Sequence, residues 1–191
     1  MKELMIKKKR EDANREMLTS DLLLQMAFPE KIGLVKALKN EIISFPAYRY
    51  RKIKDLLTLC GDPTDPDVVL KSITALSDVF CDILPSYKIR EYSKGEEDKE
   101  AKSGKGAKIS KDVEALRNQE QFTLNAYKEF LQVLETFCKL NVGKLVRKAQ
   151  GDDGEKERAM QTYEKLREKS IESFCALLER HPHFNFRVNI L

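Results

Sequence analysis

The chain has 191 residues, 41% of them hydrophobic, enough for one domain with its own core or for a piece of a larger fold. Its 35 basic and 31 acidic residues nearly cancel, leaving a net charge of +4 that is compatible with RNA-rich surroundings without pointing to them. No apolar run approaches the roughly 20 residues of a membrane span, the N-terminus "MKELMIKKKREDANREM" lacks the apolar core of a signal peptide, and no membrane partner is expected.

Proline and glycine are sparse, at 6 and 8 residues, so long helices are expected. Residues 1–18 are charge-dense and read as an arm or a solvated helix. Residues 19–90 read as helical repeats. "TSD" at 19–21 offers N-cap side chains ahead of "LLLQMAF". Pro29 opens a further helix, in which Ile32, Val35, Leu38, Ile42 and Phe45 recur at the spacing of one helical face. After Pro46 the spacing predicts a helix over 47–60 with Tyr50, Ile53, Leu56, Leu57 and Cys60 inward. "GDPTDP" is a turn rich in helix breakers. Asp65 then caps a helix opened by Pro66, with Val69, Ile73, Leu76, Phe80 and Ile83 as its stripe.

A helix, an Asp-Pro turn and a second helix make the unit of a HEAT-like stack, although short connections and apolar stripes also suit a helical bundle. That second helix leaves by "FCDILPSYKIR", which places Tyr87 and Ile89, each followed by a cation, at the root of a charged stretch. Residues 91–112 hold too little apolar surface to offset the entropy of ordering and read as a flexible loop. The loop is either a solvated linker or an arm whose lysines, among them Lys102, Lys105 and Lys108, touch RNA phosphates.

Residues 113–191 read as one long helix followed by further helices. The long helix begins at Ser110 or Asp112 and runs to about Val146. Val113, Leu116, Glu120, Leu124, Tyr127, Leu131, Leu134 and Cys138 trace one face, and Phe122, Phe130 and Phe137 a second, so neighbours on two sides are expected. Glu120 intrudes on the first face and should lie at its edge or find a partner. A last helix spans about Lys156 to Glu179, with Met160, Tyr163, Leu166, Ile171, Phe174, Leu177 and Leu178 inward. The fold class is therefore all-α, in HEAT- or armadillo-like stacked helical hairpins interrupted by the charged loop.

Reaction chemistry is not visible. Cys60, Cys81, Cys138 and Cys175 form no CxxC pair and sit among apolar neighbours, as reduced core residues of a cytosolic or nuclear protein do. His181 and His183 flank Pro182 without a nearby Cys or acid to complete a metal site, and His181 is expected to meet the last carbonyls of its own helix. There is no phosphate loop, nucleophile elbow or Cys/His pair for acyl transfer. The expectation is a protein that is not an enzyme and needs no cofactor. In "AYRYRKIK" at 47–54, Arg49, Arg51 and Lys52 beside Tyr48 and Tyr50 could contact RNA by stacking and phosphate pairing; alternatively the aromatic rings sit in the core and the cations reach outward.

Several stretches, in order, resemble the N-terminal region of the nucleolar complex-associated protein 3 family. They are "LLLQMAFPEKIGLVKALKNEI" running into "RKIKDLLTLCGDPTDPDVVLKSITALSDVFCDILPSYKIR", then "ISKDVEALRNQEQFTLNAYKEFLQVLE", then "SIESFCALLERHPHFNFRVNIL". The Pro-Ser-Tyr-Lys-Ile-Arg and Pro-His-Phe-Asn-Phe runs are the specific ones. The resemblance implies a nucleolar, all-helical, HEAT-like scaffold in assembly and intranuclear transport of the large ribosomal subunit precursor. It implies a nucleolar complex protein 2 family partner; whether the scaffold also contacts pre-ribosomal RNA stays open at this point. A second attributed role is a chromatin-bound adaptor in replication licensing, through the origin recognition machinery; a general HEAT-type adaptor is a third reading. It also implies more helical pairs after Leu191, with "RVNIL" as the start of the next helix. The candidate interaction residues are Tyr87, Lys88, Ile89, Arg90, Phe184 and Phe186. Tyr87 and Ile89 are expected to pack back on the helices while Lys88 and Arg90 face outward; Phe184 and Phe186 belong either to the core of a next repeat or to a docking site.

Overall fold

The computed structural model describes residues 20–62, 64–87, 89, 111–140 and 153–184. In chain order these form α1 (Ser20–Gln25), α2 (Phe28–Ser44), α3 (Pro46–Arg49), a 3₁₀ turn (Tyr50–Lys52), α4 (Ile53–Cys60), α5 (Pro66–Ile83), α6 (Lys111–Lys139), α7 (Asp153–Arg180) and a second 3₁₀ turn (Pro182–Phe184). The protein is all-α, with no strand among the described residues, and none of its helices is long and apolar enough to cross a membrane. The arm expected over 1–18 and the charged loop expected after Arg90 lie outside the described residues.

Local chemistry explains most boundaries. Pro29 sits in the first turn of α2, where its missing N–H costs nothing, and the Glu30 carboxylate reaches back 3.3 Å to accept the Ala27 N–H. The helix ends at Phe45, whose backbone leaves the helical region (φ −138°, ψ 60°) ahead of Pro46. Phe45 is exposed and does not extend the buried stripe of Val35, Leu38 and Ile42.

The single helix expected over 47–60 is broken. Arg49 adopts φ −111°, ψ 1°, between α3 and the first 3₁₀ turn. The break separates two aims: Tyr50 meets the edge of Phe122 on α6 at 5.2 Å, while Ile53, Leu56, Leu57 and Cys60 on α4 turn inward as expected.

α5 is the hub, packing against α2, α4 and α7 and touching its successor α6 only lightly. Its expected stripe of Val69, Ile73, Leu76 and Phe80 is buried. So is a second row, Val68, Ser72, Ala75 and Val79, about 100° around the helix. A helix covered on two sides needs both rows, and the small residues of the second let a neighbour approach closely. Phe80 joins α5 to α6, lying 5.3 Å from the Tyr127 ring and stacked 5.4 Å from Phe130.

The two long helices depart from expectation at particular positions. On α6 the stripe is core at Leu124, Tyr127, Leu131 and Leu134, but Val113 and Leu116 are 44% and 52% exposed. α6 is described from Lys111 and ends at Lys139, with Leu140 already out of the helix, short of the end expected near Val146. On α7, Leu166, Phe174 and Leu177 are buried while Met160 and Ile171 are exposed. Those two lie roughly 90° from the middle of the buried stripe, on its exposed flank. The cysteines are free thiols. Burial pushes Cys60 up to about 12, whereas Cys175 is exposed rather than in the core.

Candidate interaction surface

The residues after α5 and those after α7 converge on one face of α6. Beyond α5, Leu84 and Ile89 are buried, so Ile89 packs back on the helices as expected. Tyr87 does not: its side chain stays at the rim, 55% exposed, and its hydroxyl donates to the Glu120 carboxylate on α6. A hydroxyl needs a polar partner, and this carboxylate, half-buried at the edge of the apolar stripe, needs a donor. That hydrogen bond, then burial, raises the Tyr87 pKa. Glu120 thus has the partner its position on the stripe required. Lys88 and Arg90 lie outside the described residues.

At the end of α7 the His181 backbone N–H closes the helix on the Leu177 carbonyl at 2.8 Å. The imidazole goes elsewhere. Its Nε2 is 3.0 Å from the Cys81 carbonyl in the last turn of α5. A carbonyl only accepts, so Nε2 carries the proton and donates. The expected capping of its own helix is therefore corrected: the ring caps a neighbouring helix 100 residues away in sequence, satisfying a C-terminal carbonyl left without an intrahelical donor. Phe184, one turn on, is buried, edge-on to Tyr127 at 6.1 Å and to His181 at 6.3 Å. It belongs to the core. Phe186 falls outside the described residues.

The basic–aromatic stretch lies on another side of α6. Phe122, which receives Tyr50, is five residues from Tyr127, about 140° around the axis. There the cations meet acids. Lys52 Nζ is 2.8 Å from Glu41, Arg49 Nε 3.7 Å from the same carboxylate, and Lys54 Nζ 2.8 Å from Glu129 on α6. The Arg51 guanidinium lies 5.8 Å from the Tyr50 ring centroid. Tyr48 is exposed while Tyr50 is half-buried, so only the second ring packs toward the helices. Lys102, Lys105 and Lys108 lie outside the described residues.

One polar cluster was not anticipated. Lys31 is buried in the first turn of α2, with its Nζ 2.6 Å from Asp62 and 2.9 Å from Asp65. Asp65 therefore spends its side chain on Lys31 and makes no side-chain cap at α5, as had been expected of it; its backbone carbonyl accepts the Val68 and Val69 N–H groups. Asp62 also accepts the Thr64 N–H at 2.8 Å. The Asp62 hydrogen bond raises the Lys31 pKa against the opposing effect of burial. Burial pushes Asp62 up, but the bonds from Lys31 and Thr64 outweigh it and leave the carboxyl below its usual range. The sequence signal was available: Lys31, Val35, Leu38 and Ile42 share one helical face, so a lysine stood on the buried stripe.

Asp55 on α4 is a second buried charge. Burial raises its pKa to about 6 against the opposing charge of Lys52.

Comparison with known proteins matches residues 31–130 to the family model described as nucleolar complex-associated protein, a span that runs from Lys31 to Phe130 of the aromatic cluster. Curated relatives carry nucleolar complex names as well. The Nucleolar complex protein 3 homolog of Mus musculus is 30% identical over 187 residues, covering 95% of this chain and 21% of the relative. The Homo sapiens homolog is 32% identical over 166 residues, covering 85% of this chain and 19% of the relative. Nucleolar complex-associated protein 3 of Arabidopsis thaliana is 30% identical over 171 residues, with 90% and 17% covered. The chain spans about a fifth of the length of the curated relatives it matches. With the family model matching more than half of its residues, this chain belongs to the nucleolar complex-associated protein 3 family.

Proposed function

We propose that this chain is a non-catalytic scaffold of a nucleolar complex, acting in assembly and intranuclear transport of the large ribosomal subunit precursor. Family membership carries the reading, since curated relatives from animals and a plant are named nucleolar complex proteins. The implied location is the nucleus and nucleolus, and the partner class is a nucleolar protein, with a nucleolar complex protein 2 relative as the specific partner. Protein contact is favoured over RNA contact at residues 49–54, because Lys52 and Lys54 face Glu41 and Glu129 and a phosphate would have to displace those carboxylates. Tyr87 is the residue we assign to the interface, being exposed and held at a fixed place on α6 by Glu120.

The test is affinity capture from nuclear extract with the chain and its Tyr87→Ala variant. Recovery of large-subunit precursor particles by the parent, weakened in the variant at nearly unchanged melting temperature, is expected. Capture of origin-binding and helicase-loading proteins in their place would overturn the assembly role. Equal capture by parent and variant would remove Tyr87 from the interface.

A further inference from the structure

α7 carries two apolar rows, and one of them is open. Leu166, Phe174 and Leu177 face the core. The second row lies about 90° around the helix and runs through Met160, Ile171, Cys175 and Leu178. Met160 and Ile171 are 38% and 45% exposed, Cys175 is exposed and Leu178 is half-buried. Arg167 interrupts the row, so its continuous stretch is Ile171, Cys175 and Leu178, at the i, i+4, i+7 spacing by which one helix seats another. Along the outer side of this row run Glu157, Glu164, Glu168, Glu172 and Glu179, all exposed, about 40–120° around the axis from Met160. Arg158, Lys165 and Lys169 lie beyond them on the far side of the helix. Lys169 reaches back to Glu172 at 3.0 Å, a solvent-facing pair of little strength. The border next to the apolar row is therefore acidic.

We propose that this flank of α7 docks an amphipathic helix of a protein partner, one whose apolar row is bordered by lysines and arginines. Ile171, Cys175 and Leu178 supply the apolar contact, and burying it is what favours binding. The glutamates beside them attract a cationic border and repel an acidic one, so charge chooses among the many helices that could offer an apolar row. Charge also selects against two other occupants. A second copy of α7 laid antiparallel on the first by a two-fold axis would bring glutamate border against glutamate border. A nucleic acid would bring phosphates against the same carboxylates.

Fluorescence anisotropy of a labelled synthetic helical peptide, titrated with the 191-residue chain, tests this. The peptide carries leucines at i, i+3, i+4 and i+7 with lysines beside them. Binding that weakens as salt rises is expected, with a loss of about tenfold or more in an Ile171→Ser variant and in a Glu168→Gln, Glu172→Gln, Glu179→Gln triple variant. The same peptide with glutamates in place of its lysines should not bind. Tyr87→Ala should bind the peptide as the parent does, so this surface and the one assigned to Tyr87 can fail separately. Binding unchanged in either α7 variant overturns the proposal. Equal binding of a peptide with the same residues in scrambled order overturns it too, reducing the effect to unspecific charge attraction. Self-association of the chain in sedimentation, abolished by Ile171→Ser, would assign the flank to a second copy instead. A photo-crosslinking residue in place of Cys175 that links to another segment of the same chain would assign it to the protein itself and likewise overturn the proposal.

Discussion

Lys31 and Lys54 each hold a carboxylate on another element at nearly the same distance, 2.6 Å to Asp62 and 2.8 Å to Glu129. The side chains of the first pair are 2% and 0% exposed; those of the second are 44% and 46% exposed. Distance alone would rank them equal, and environment separates them. An exposed pair competes with water and salt and contributes about 0.2–1 kcal/mol. A buried pair has already lost its hydration, so removing one partner strands a charge at a cost of about 3–5 kcal/mol. The Lys31 cluster ties the start of α2 to the turn before α5 and so sets where the hub begins. The Lys54 pair sits on the outside of the α4–α6 contact and trims its orientation.

The largest expected effect breaks the buried member. Lys31→Met should destabilise the chain by about 3–5 kcal/mol in urea unfolding, because Asp62 is left buried without its counter-charge. Adding Asp62→Ala and Asp65→Ala should recover much of the loss; no recovery would mean that packing, not charge, is what the cluster supplies. The pH profile sharpens the same point. Asp62 has a lowered folded pKa, so its contribution is present above the unfolded value near 4 and is lost as pH falls through the folded value. Lys31 has a raised one, so its contribution is present below about 10.4 and is lost as pH rises through the folded value. Lys31→Met should flatten both limbs.

Asp55 extends the comparison to a buried charge whose environment disfavours ionisation. Its folded pKa is raised to about 6, so its favourable contribution is present below the unfolded value near 3.9 and is lost as pH rises through 6. Asp55→Asn should therefore stabilise the chain at pH 7.5 by about 1–2 kcal/mol, with the gain vanishing near pH 4 in thermal melts at the two pH values. A loss at pH 7.5 would show that the carboxylate is better matched than its burial indicates.

A hydrogen bond between two helix ends lies between the extremes. His181→Ala removes the donor to the Cys81 carbonyl and should cost about 1 kcal/mol in chemical denaturation. It should also speed exchange at the ends of α5 and α7 more than at α2. The smallest effect belongs to the exposed pair. Lys54→Ala should cost at most about 1 kcal/mol, and the cost should shrink between 0.05 and 0.5 M salt. A double-mutant cycle with Glu129→Ala checks it, and a coupling as large as that of the Lys31 cluster would erase the distinction.

The legible parts of the fold come from local repetition. Apolar spacing marked α2, α5, α6 and α7, and Pro29, Pro46 and Pro66 marked where helices start. The core rows Val35–Leu38–Ile42 and Val69–Ile73–Leu76–Phe80 were readable because one helical face must be apolar to be buried. The interior break at Arg49 was not readable, since nothing in "AYRYRKIK" forbids a continuous helix; the break results from aiming Tyr50 at Phe122 while α4 faces α5. The same holds for Tyr87. Its neighbours suggested a buried ring, and the Glu120 carboxylate, 33 positions away in sequence, held it at the rim.

Sequence by itself determined an all-helical protein, the positions of its long helices, most of its core and the family to which it belongs, because periodicity and short motifs are properties of neighbouring residues. Tertiary structure alone decided the rest: that Lys31 joins Asp62 and Asp65, that His181 caps α5, and that the same stripe on α6 is core at Leu124 yet open at Leu116. Those outcomes depend on which helix end arrives beside which, and the free energy of a polar or apolar side chain is set by what arrives to desolvate or pair with it.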